Sequence, residues 1–275
     1  MKAPGRPGSA QRTRCAAAIA ALAAIVTMGQ APVINAVVEH RAVASGLARE
    51  VQAIAEQGRA VWVGYRVPIA RSRGDRLNAT ETCCGRCRLE PATDLVMLLK
   101  VDRSGVLEIR PEAVDCDIDA SGAPLVWLDN VRPDDSVTWL AGVAKDPLQP
   151  SRLADRALTG LALHASPEVV AVLLDYARTG ASAQVKGRAL FWLAQRAADE
   201  SIPAITAAID TDPDTQVKKQ AVFALSTLPR DEGVPRLIEL ARSHRNPEVR
   251  RQAFFWLGQS KDQRAVDFFA SILGK

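Results

Sequence analysis

Apolar residues in the last part of the chain recur at a step of 32 residues. One position holds alanine at every step, a second holds leucine, and a third holds valine or isoleucine. The recurring residues are Ala157, Ala189, Ala221 and Ala253, then Leu161, Leu193, Leu225 and Leu257, then Val170, Ile202, Val234 and Val266. A fixed period of this length indicates a solenoid of stacked helical units.

Each unit predicts two helices. The first has apolar residues four apart, as at Val185, Ala189 and Leu193, which places them on one helical face. The alanine in this stripe leaves room for a neighbouring helix. The second helix places Val234 and Leu237 inward. Polar segments at residues 212–214 and 246–248 supply capping residues for the next first helix.

This pattern resembles the HEAT repeats, in the short form named after the phycobiliprotein lyases. The matching residues are Val217, Ala221 and Leu225 in a first helix, Val234, Pro235 and Leu237 in a second helix, and the turns at residues 212–213 and 246–247. The resemblance implies an α-solenoid of about four repeats over residues 151–275. It also implies that second helices line the concave side of the stack. A HEAT fold alone does not define an activity.

The first 36 residues predict an export signal. Four basic residues and no acidic residue precede or flank the apolar run at residues 15–28, and residues 34–36 form a plausible cleavage site. The alternative is an uncleaved membrane anchor, although the run is shorter than the ~20 residues of a spanning helix. We therefore expect an exported protein, periplasmic or secreted, without a stable membrane span after signal removal.

Residues 37–150 predict a small α+β domain that carries a cysteine cluster. The expected elements are a helix at residues 40–57, a strand at 60–69, a hairpin of 95–101 and 106–110, a second strand pair of 114–118 and 124–128, and a helix at 137–143 capped by residues 134–136. The fold class is therefore mainly α, with a C-terminal α-solenoid of HEAT-like helix pairs after the α+β domain. Parts of residues 115–137 are similar to the leading region of other exported bacterial HEAT-repeat proteins.

The net charge does not favour a nucleic-acid partner. Four of the 35 basic residues lie in the predicted leader, and the remainder balances 31 acidic residues. A nucleic-acid binder would present a basic face. The expected partner is therefore an unidentified protein.

Four cysteines follow the leader: Cys83, Cys84, Cys87 and Cys116. In an exported protein, four cysteines favour two disulfides. Two alternatives stay open. The spacing from Cys84 to Cys87 is also that of zinc ligands, although no second such pair follows. The same spacing occurs in thiol redox sites. A thiol- or metal-dependent activity of residues 37–150 is thus the alternative to a binding function.

No catalytic constellation stands out, and no cofactor is expected. His40, His164 and His244 do not pair at ligand spacing. Deoxyhypusine hydroxylase, a HEAT-repeat oxygenase family, holds iron with His-Glu dipeptides, and this sequence has none. The predicted protein is not an enzyme.

Aromatic residues concentrate on the first helices, and they are Phe191, Trp192, Phe223, Phe254, Phe255 and Trp256. They predict packing between repeats, with an exposed aromatic strip as the alternative.

Residues between the inward positions of the second helices predict the partner surface. The candidates are Arg178, Asp210, Arg236, Glu239, Arg242 and Phe268. Mixed charge with an exposed aromatic residue suits a protein partner better than a polyanion. The alternative is an ordinary solvated helix face.

Overall fold

A computed structural model describes residues 33–70, 93–114 and 117–274. Ala31–Lys275 forms one compact unit. The elements before the repeats are β1 (Val33–Ile34), β2 (Val38–Ala42), α1 (Leu47–Ala55), β3 (Val61–Pro68), β4 (Asp94–Asp102), β5 (Gly105–Ala113), β6 (Ile118–Asp119), β7 (Leu125–Asp129) and α2 (Pro133–Lys145). The small α+β region is thus present, as predicted.

Five of the strands form a mixed sheet in the order β2-β7-β3-β4-β5. β4 runs antiparallel to both β3 and β5, which confirms the predicted strand and the first hairpin. β7 lies between β2 and β3 and is parallel to both. One face of the sheet belongs to the main core through residues such as Val63 and Tyr65, and the other carries a smaller cluster around Trp62 and Trp127.

Two predictions for this region are wrong. Residues predicted to start a helix at position 40 form β2, and the helix α1 starts at Leu47 after Gly46, whose φ is 90°. β2 is an edge strand that is largely exposed on both faces, so it lacks the alternating pattern of a half-buried strand. The second predicted strand pair also fails, because β6 pairs with β1 while β7 enters the main sheet.

Eight helices follow in four pairs, as predicted. The first helices are α3 (Ser151–Leu163), α5 (Ala183–Arg196), α7 (Thr215–Ser226) and α9 (Pro247–Gln259), and the second helices are α4 (Glu168–Thr179), α6 (Ala198–Thr211), α8 (Arg230–Ser243) and α10 (Gln263–Ile272). The starts of the first helices are 32 residues apart, which confirms the period. No helix in the described ranges has the length and apolarity needed to cross a membrane.

The first helices pack closely on one another along the stack. Every alanine of the recurring column is fully buried. A Cβ atom at Gly187 of α5 would come within 1.3 Å of the Gln220 Oε1 atom on α7, so a larger residue cannot enter without rearrangement. The second helices pack less closely on one another than the first helices do.

In the second helices, the first buried position of each repeat lies one residue before the predicted position. Val169, Ser201, Gly233 and Ala265 are buried at the 32-residue step. The predicted column starting at Val170 is only half-buried in α4 and α6, and Val266 is 54% exposed. In α8, Val234 and Leu237 are buried as predicted. The rotation relative to the predicted inward face is clearest in α10, where Ala265 and Phe268 are the buried residues.

The predicted caps are confirmed in the last two repeats. Asp214 accepts a hydrogen bond from the Gln216 backbone N–H at 2.7 Å, and Asn246 accepts one from the Glu248 N–H at 2.9 Å. Each bond satisfies one of the free amides of a helix N-terminus. These caps define where α7 and α9 begin.

The sheet and the repeats share one core and a backbone junction. The Ala70 N–H donates to the Leu163 carbonyl at 2.8 Å, and the Ala165 N–H donates to the Pro68 carbonyl at 2.9 Å. Arg196 of α5 donates to the His164 carbonyl at 2.9 Å. The end of β3 is therefore joined to the α3–α4 turn, which positions the first repeat against the sheet.

Candidate functional site

The second-helix face consists of the residues of α4, α6, α8 and α10 that lie between the predicted inward positions. Its members are Val172, Ala204 and Arg236, then Asp175, Ala207, Glu239 and Ser271, then Arg178, Asp210 and Arg242. Of these, Ala207, Glu239, Ser271, Arg178, Asp210 and Arg242 are exposed and the others are half-buried. The structure therefore brings five of the six candidate partner residues to one face.

A charged row occupies equivalent positions of three successive second helices: Arg178, Asp210 and Arg242. The Asp210 Oδ1 atom lies 3.5 Å from His244 Nε2. The Arg242 guanidinium lies over the Phe268 ring at 5.2 Å from its centroid. Within the described residues, the Arg178 side chain has no ion pair or hydrogen bond. The row thus presents charges of alternating sign to solvent.

Arg236 and Glu239 differ in whether their charged groups already have a partner among the described residues. The Arg236 Nη1 atom donates to the Glu232 carbonyl of the same helix at 2.8 Å, which holds the half-buried guanidinium against α8. The Glu239 carboxylate is exposed and has no counter-ion in the described part of the chain. Glu239 is therefore available to a partner, whereas Arg236 is partly engaged.

The prediction that Phe268 is an exposed aromatic residue is wrong. Its side chain is 3% exposed. The ring packs 5.6 Å from that of Phe254 and 5.8 Å from that of Phe269, measured between centroids. α10 buries Ala265 and Phe268 because its rotation about the helix axis differs from the predicted one. The buried Phe268 ring therefore packs against the exposed Arg242 guanidinium.

The aromatic residues of the first helices pack mainly between repeats. Phe191 and Phe223 stack with centroids 5.7 Å apart, and Phe223 lies 4.9 Å from Trp256. Trp192 is buried. Phe255 is the exception among these residues because 53% of its surface is exposed. The packing interpretation therefore holds for most of this group.

A buried hydrogen-bond chain connects the sheet, α2 and the first repeat. The Tyr65 hydroxyl lies 2.7 Å from Ser136 Oγ, and Ser136 Oγ lies 2.8 Å from His164 Nε2. The His164 Nδ1 atom lies 2.7 Å from the Gly160 carbonyl. Tyr65, Ser136 and His164 are all fully buried.

One arrangement of protons gives every donor in this hydrogen-bond chain an acceptor. The Gly160 carbonyl can only accept, so His164 Nδ1 carries a hydrogen and Nε2 accepts from the Ser136 hydroxyl. Ser136 Oγ then accepts from the Tyr65 hydroxyl. Burial lowers the pKa of His164 to about 4 and raises the pKa of the Tyr65 phenol well above its ordinary value. Both groups are therefore neutral at physiological pH.

The chain contains a serine hydroxyl hydrogen-bonded to an imidazole, as in a nucleophile–base pair. Because the Ser136–His164 pair is buried, a substrate cannot reach it. The hydrogen bonds instead join the sheet, α2 and the first repeat. Sequence reasoning expected Ser136 to cap a helix at residues 137–143. The helix begins at Pro133 instead, which places Ser136 inside it. Ser136 and His164 are 28 positions apart in the sequence, and no local signal indicates their contact.

We expect the free energy of unfolding to decrease as the pH falls from 7 to 5. His164 has a pKa of about 4 in the folded protein, whereas an unfolded histidine has about 6.5. The unfolded state therefore takes up a proton that the folded state does not, and the contribution is complete above pH 6.5. The full shift corresponds to about 3 kcal/mol.

Urea titrations at several pH values measure how the free energy of unfolding changes with pH. A His164→Gln variant should lose this pH dependence, and an unchanged slope in that variant would refute the assignment.

The four cysteine candidates Cys83, Cys84, Cys87 and Cys116 lie outside the described residues. The disulfide, zinc and redox interpretations therefore stay predictions.

The repeats match a known family model. Residues 170–242 and 202–275 match the family model for HEAT repeats. Among solved structures, the chain is similar to human deoxyhypusine hydroxylase in complex with glycerol, at 20% sequence identity and a TM-score of 0.36, over 49% of this chain and 43% of that chain. It is also similar to Escherichia coli YibA, at 23% identity and a TM-score of 0.33, over 51% of this chain and 54% of that chain. The chain thus spans about half the length of these two structures. No curated protein matched the sequence.

Proposed function

We propose that the protein is an exported, non-catalytic binding or scaffolding module that contacts a protein partner through the second-helix face. The observation that carries this proposal is the charged row: Arg178, Asp210 and Arg242 are exposed at equivalent positions of α4, α6 and α8. HEAT repeats suggest an interaction role in general, and this row supplies a specific surface for it.

The geometry of the row favours a folded protein surface as its partner. The three charges occupy equivalent positions of successive second helices, so they recur once per repeat. Because the charges alternate in sign, the acidic member of the row would repel a polyanion. A protein surface can instead match charges of both signs. The exposed Glu239 and Ala207 widen the surface beside the row.

The proposal of a non-catalytic protein is supported by the closed position of the Ser136–His164 pair. A nucleophile must reach its substrate, and both side chains are fully buried beneath the first repeat. The repeats also resemble those of the phycobiliprotein lyases, but action on cytoplasmic pigment proteins does not suit an exported chain.

Export is proposed from the basic and apolar leader. Val33 and Ile34 of β1 pair with Ile118 and Asp119 of β6, and a cut after residue 36 would remove this pairing. The leader is proposed to end at residue 36, so its removal would leave β6 without this partner.

Site-specific photo-crosslinking in native cells tests the proposal. A photo-reactive phenylalanine derivative in place of Ala207 or Glu239 is expected to form a discrete protein adduct in the envelope fraction. The same derivative at Lys145, an exposed position of α2 outside the second-helix face, is the control and should form none. Equal adducts from all three positions, or none from the repeat positions, would contradict the proposal.

A further inference from the structure

A groove runs between the last strand of the sheet and the first helix of the repeats. β5 is at the end of the sheet order and pairs only with β4 among the described strands. Within the described residues its outer edge therefore presents backbone N–H and C=O groups that pair with no other strand. α3 packs beside β5 and leaves a groove of about 460 Å³, lined by residues 106–112 of the strand and by Pro150, Arg152, Leu153 and Arg156. We call this the β5 groove.

Two arginines on α3 face the β5 groove without a counter-ion. Arg152 and Arg156 are four residues apart, which places them on one side of the helix roughly 6 Å apart at their Cβ atoms. Both are exposed, and in the described ranges neither makes an ion pair or hydrogen bond. The nearby Arg188 illustrates the contrast, because it is paired with Asp155 at 2.5 Å.

The strand side of the groove leaves this positive charge largely uncompensated. The Arg110 Nη2 atom lies 3.0 Å from Glu112 Oε1, so that carboxylate is already paired. Glu108 is the other acidic residue in the lining. Leu107 is 47% exposed at the hairpin end of the groove and offers an apolar contact. A ligand here should therefore carry negative charge together with some apolar surface.

Pro111 limits how much of the edge can pair. Pro111 is opposite Met97 in the β4–β5 ladder, and a proline in a paired edge strand directs its nitrogen, which has no hydrogen, away from the ladder. A strand added to β5 can therefore pair continuously only up to residue 110. Residues 106–110 remain, which corresponds to a short ligand segment.

We propose that the β5 groove binds an extended acidic peptide segment of a partner protein. The segment adds a strand to β5 along residues 106–110, and its carboxylates pair with Arg152 and Arg156. Backbone pairing supplies affinity and the arginines select for acidic side chains, as in other cases of strand addition at a sheet edge. This site is separate from the second-helix face and does not depend on it.

Fluorescence anisotropy with three labelled hexapeptides tests the proposal on the full chain. The first peptide alternates valine and glutamate, the second alternates valine and lysine, and the third is the acidic peptide with alternate backbone nitrogens methylated so that they cannot pair. We expect the acidic peptide to bind about tenfold or more tightly than the other two, with an affinity that decreases as salt increases.

Charge reversal identifies the groove as the site. Arg152→Glu with Arg156→Glu should weaken binding of the acidic peptide by about tenfold or more, because two attractions become repulsions. Arg49→Glu with Lys145→Glu makes the same change at two exposed, unpaired helix positions elsewhere and should leave binding unchanged. Circular dichroism confirms that both variants are folded. Equal binding of the lysine peptide or of the methylated peptide, or undiminished binding by the groove variant, would overturn the proposal.

Discussion

Replacement of Ser136 by alanine is expected to destabilise the protein by about 2–4 kcal/mol. The Ser136 hydroxyl lies between the Tyr65 hydroxyl at 2.7 Å and His164 Nε2 at 2.8 Å, and all three groups are buried. Its removal leaves one donor and one acceptor without partners, each at a cost of roughly 1–3 kcal/mol. Chemical denaturation of the variant measures the loss.

Two further variants make this expectation specific. Tyr65→Phe added to Ser136→Ala should recover about 1 kcal/mol, because it removes the hydroxyl that has lost its acceptor. Ser201→Ala is the matched control: Ser201 is also fully buried, but its hydroxyl donates only to the Ala198 carbonyl of its own helix, at 2.7 Å. We expect a smaller loss there. Equal losses at Ser136 and Ser201, with no recovery from Tyr65→Phe, would refute a coupled chain.

Replacement of Ala221 by leucine is expected to cost about 1–3 kcal/mol. Ala221 is fully buried in the column of alanines between first helices. A larger side chain there must displace a neighbouring helix or adopt a strained rotamer. Thermal or chemical unfolding measures the effect. Ala207→Leu is the control because Ala207 is exposed on α6, and it should change stability by less than about 0.5 kcal/mol. A neutral Ala221→Leu variant would mean that the helices are not closely packed at this column.

The repeat stack could be predicted because its signals are local and recur. Each first helix repeats the same small alanine and large leucine positions, and residues such as Asp214 and Asn246 cap the helices that follow them. These features depend on neighbours within one unit or the next. A fixed period therefore defines both the helices and the buried face of the first helices.

The sheet order could not be predicted in the same way. β7 pairs with β2 and β3, which come from distant parts of the chain, and nothing near β7 specifies these partners. β2 has little burial to produce an alternating pattern. Local turn signals therefore favoured a second hairpin that does not form.

The candidate surface was predictable in outline and not in detail. The period correctly indicated which row of α4, α6 and α8 is exposed, including Arg178 and Arg242. It failed at Phe268, because α10 packs that ring against Phe254 and Phe269. The buried contact between Ser136 and His164 arises only when the sheet, α2 and the first repeat meet.

The affinity of the crosslinked partner for charge-reversed protein tests the central proposal most directly. Arg178→Glu with Arg242→Glu reverses both cations of the charged row, and Arg49→Glu with Lys145→Glu makes the same net change away from it. We expect the first variant to bind the partner about tenfold or more weakly and the control to bind normally, with helix content retained in both. Unchanged affinity of the Arg178/Arg242 variant would contradict the proposal that the second-helix face is the binding surface.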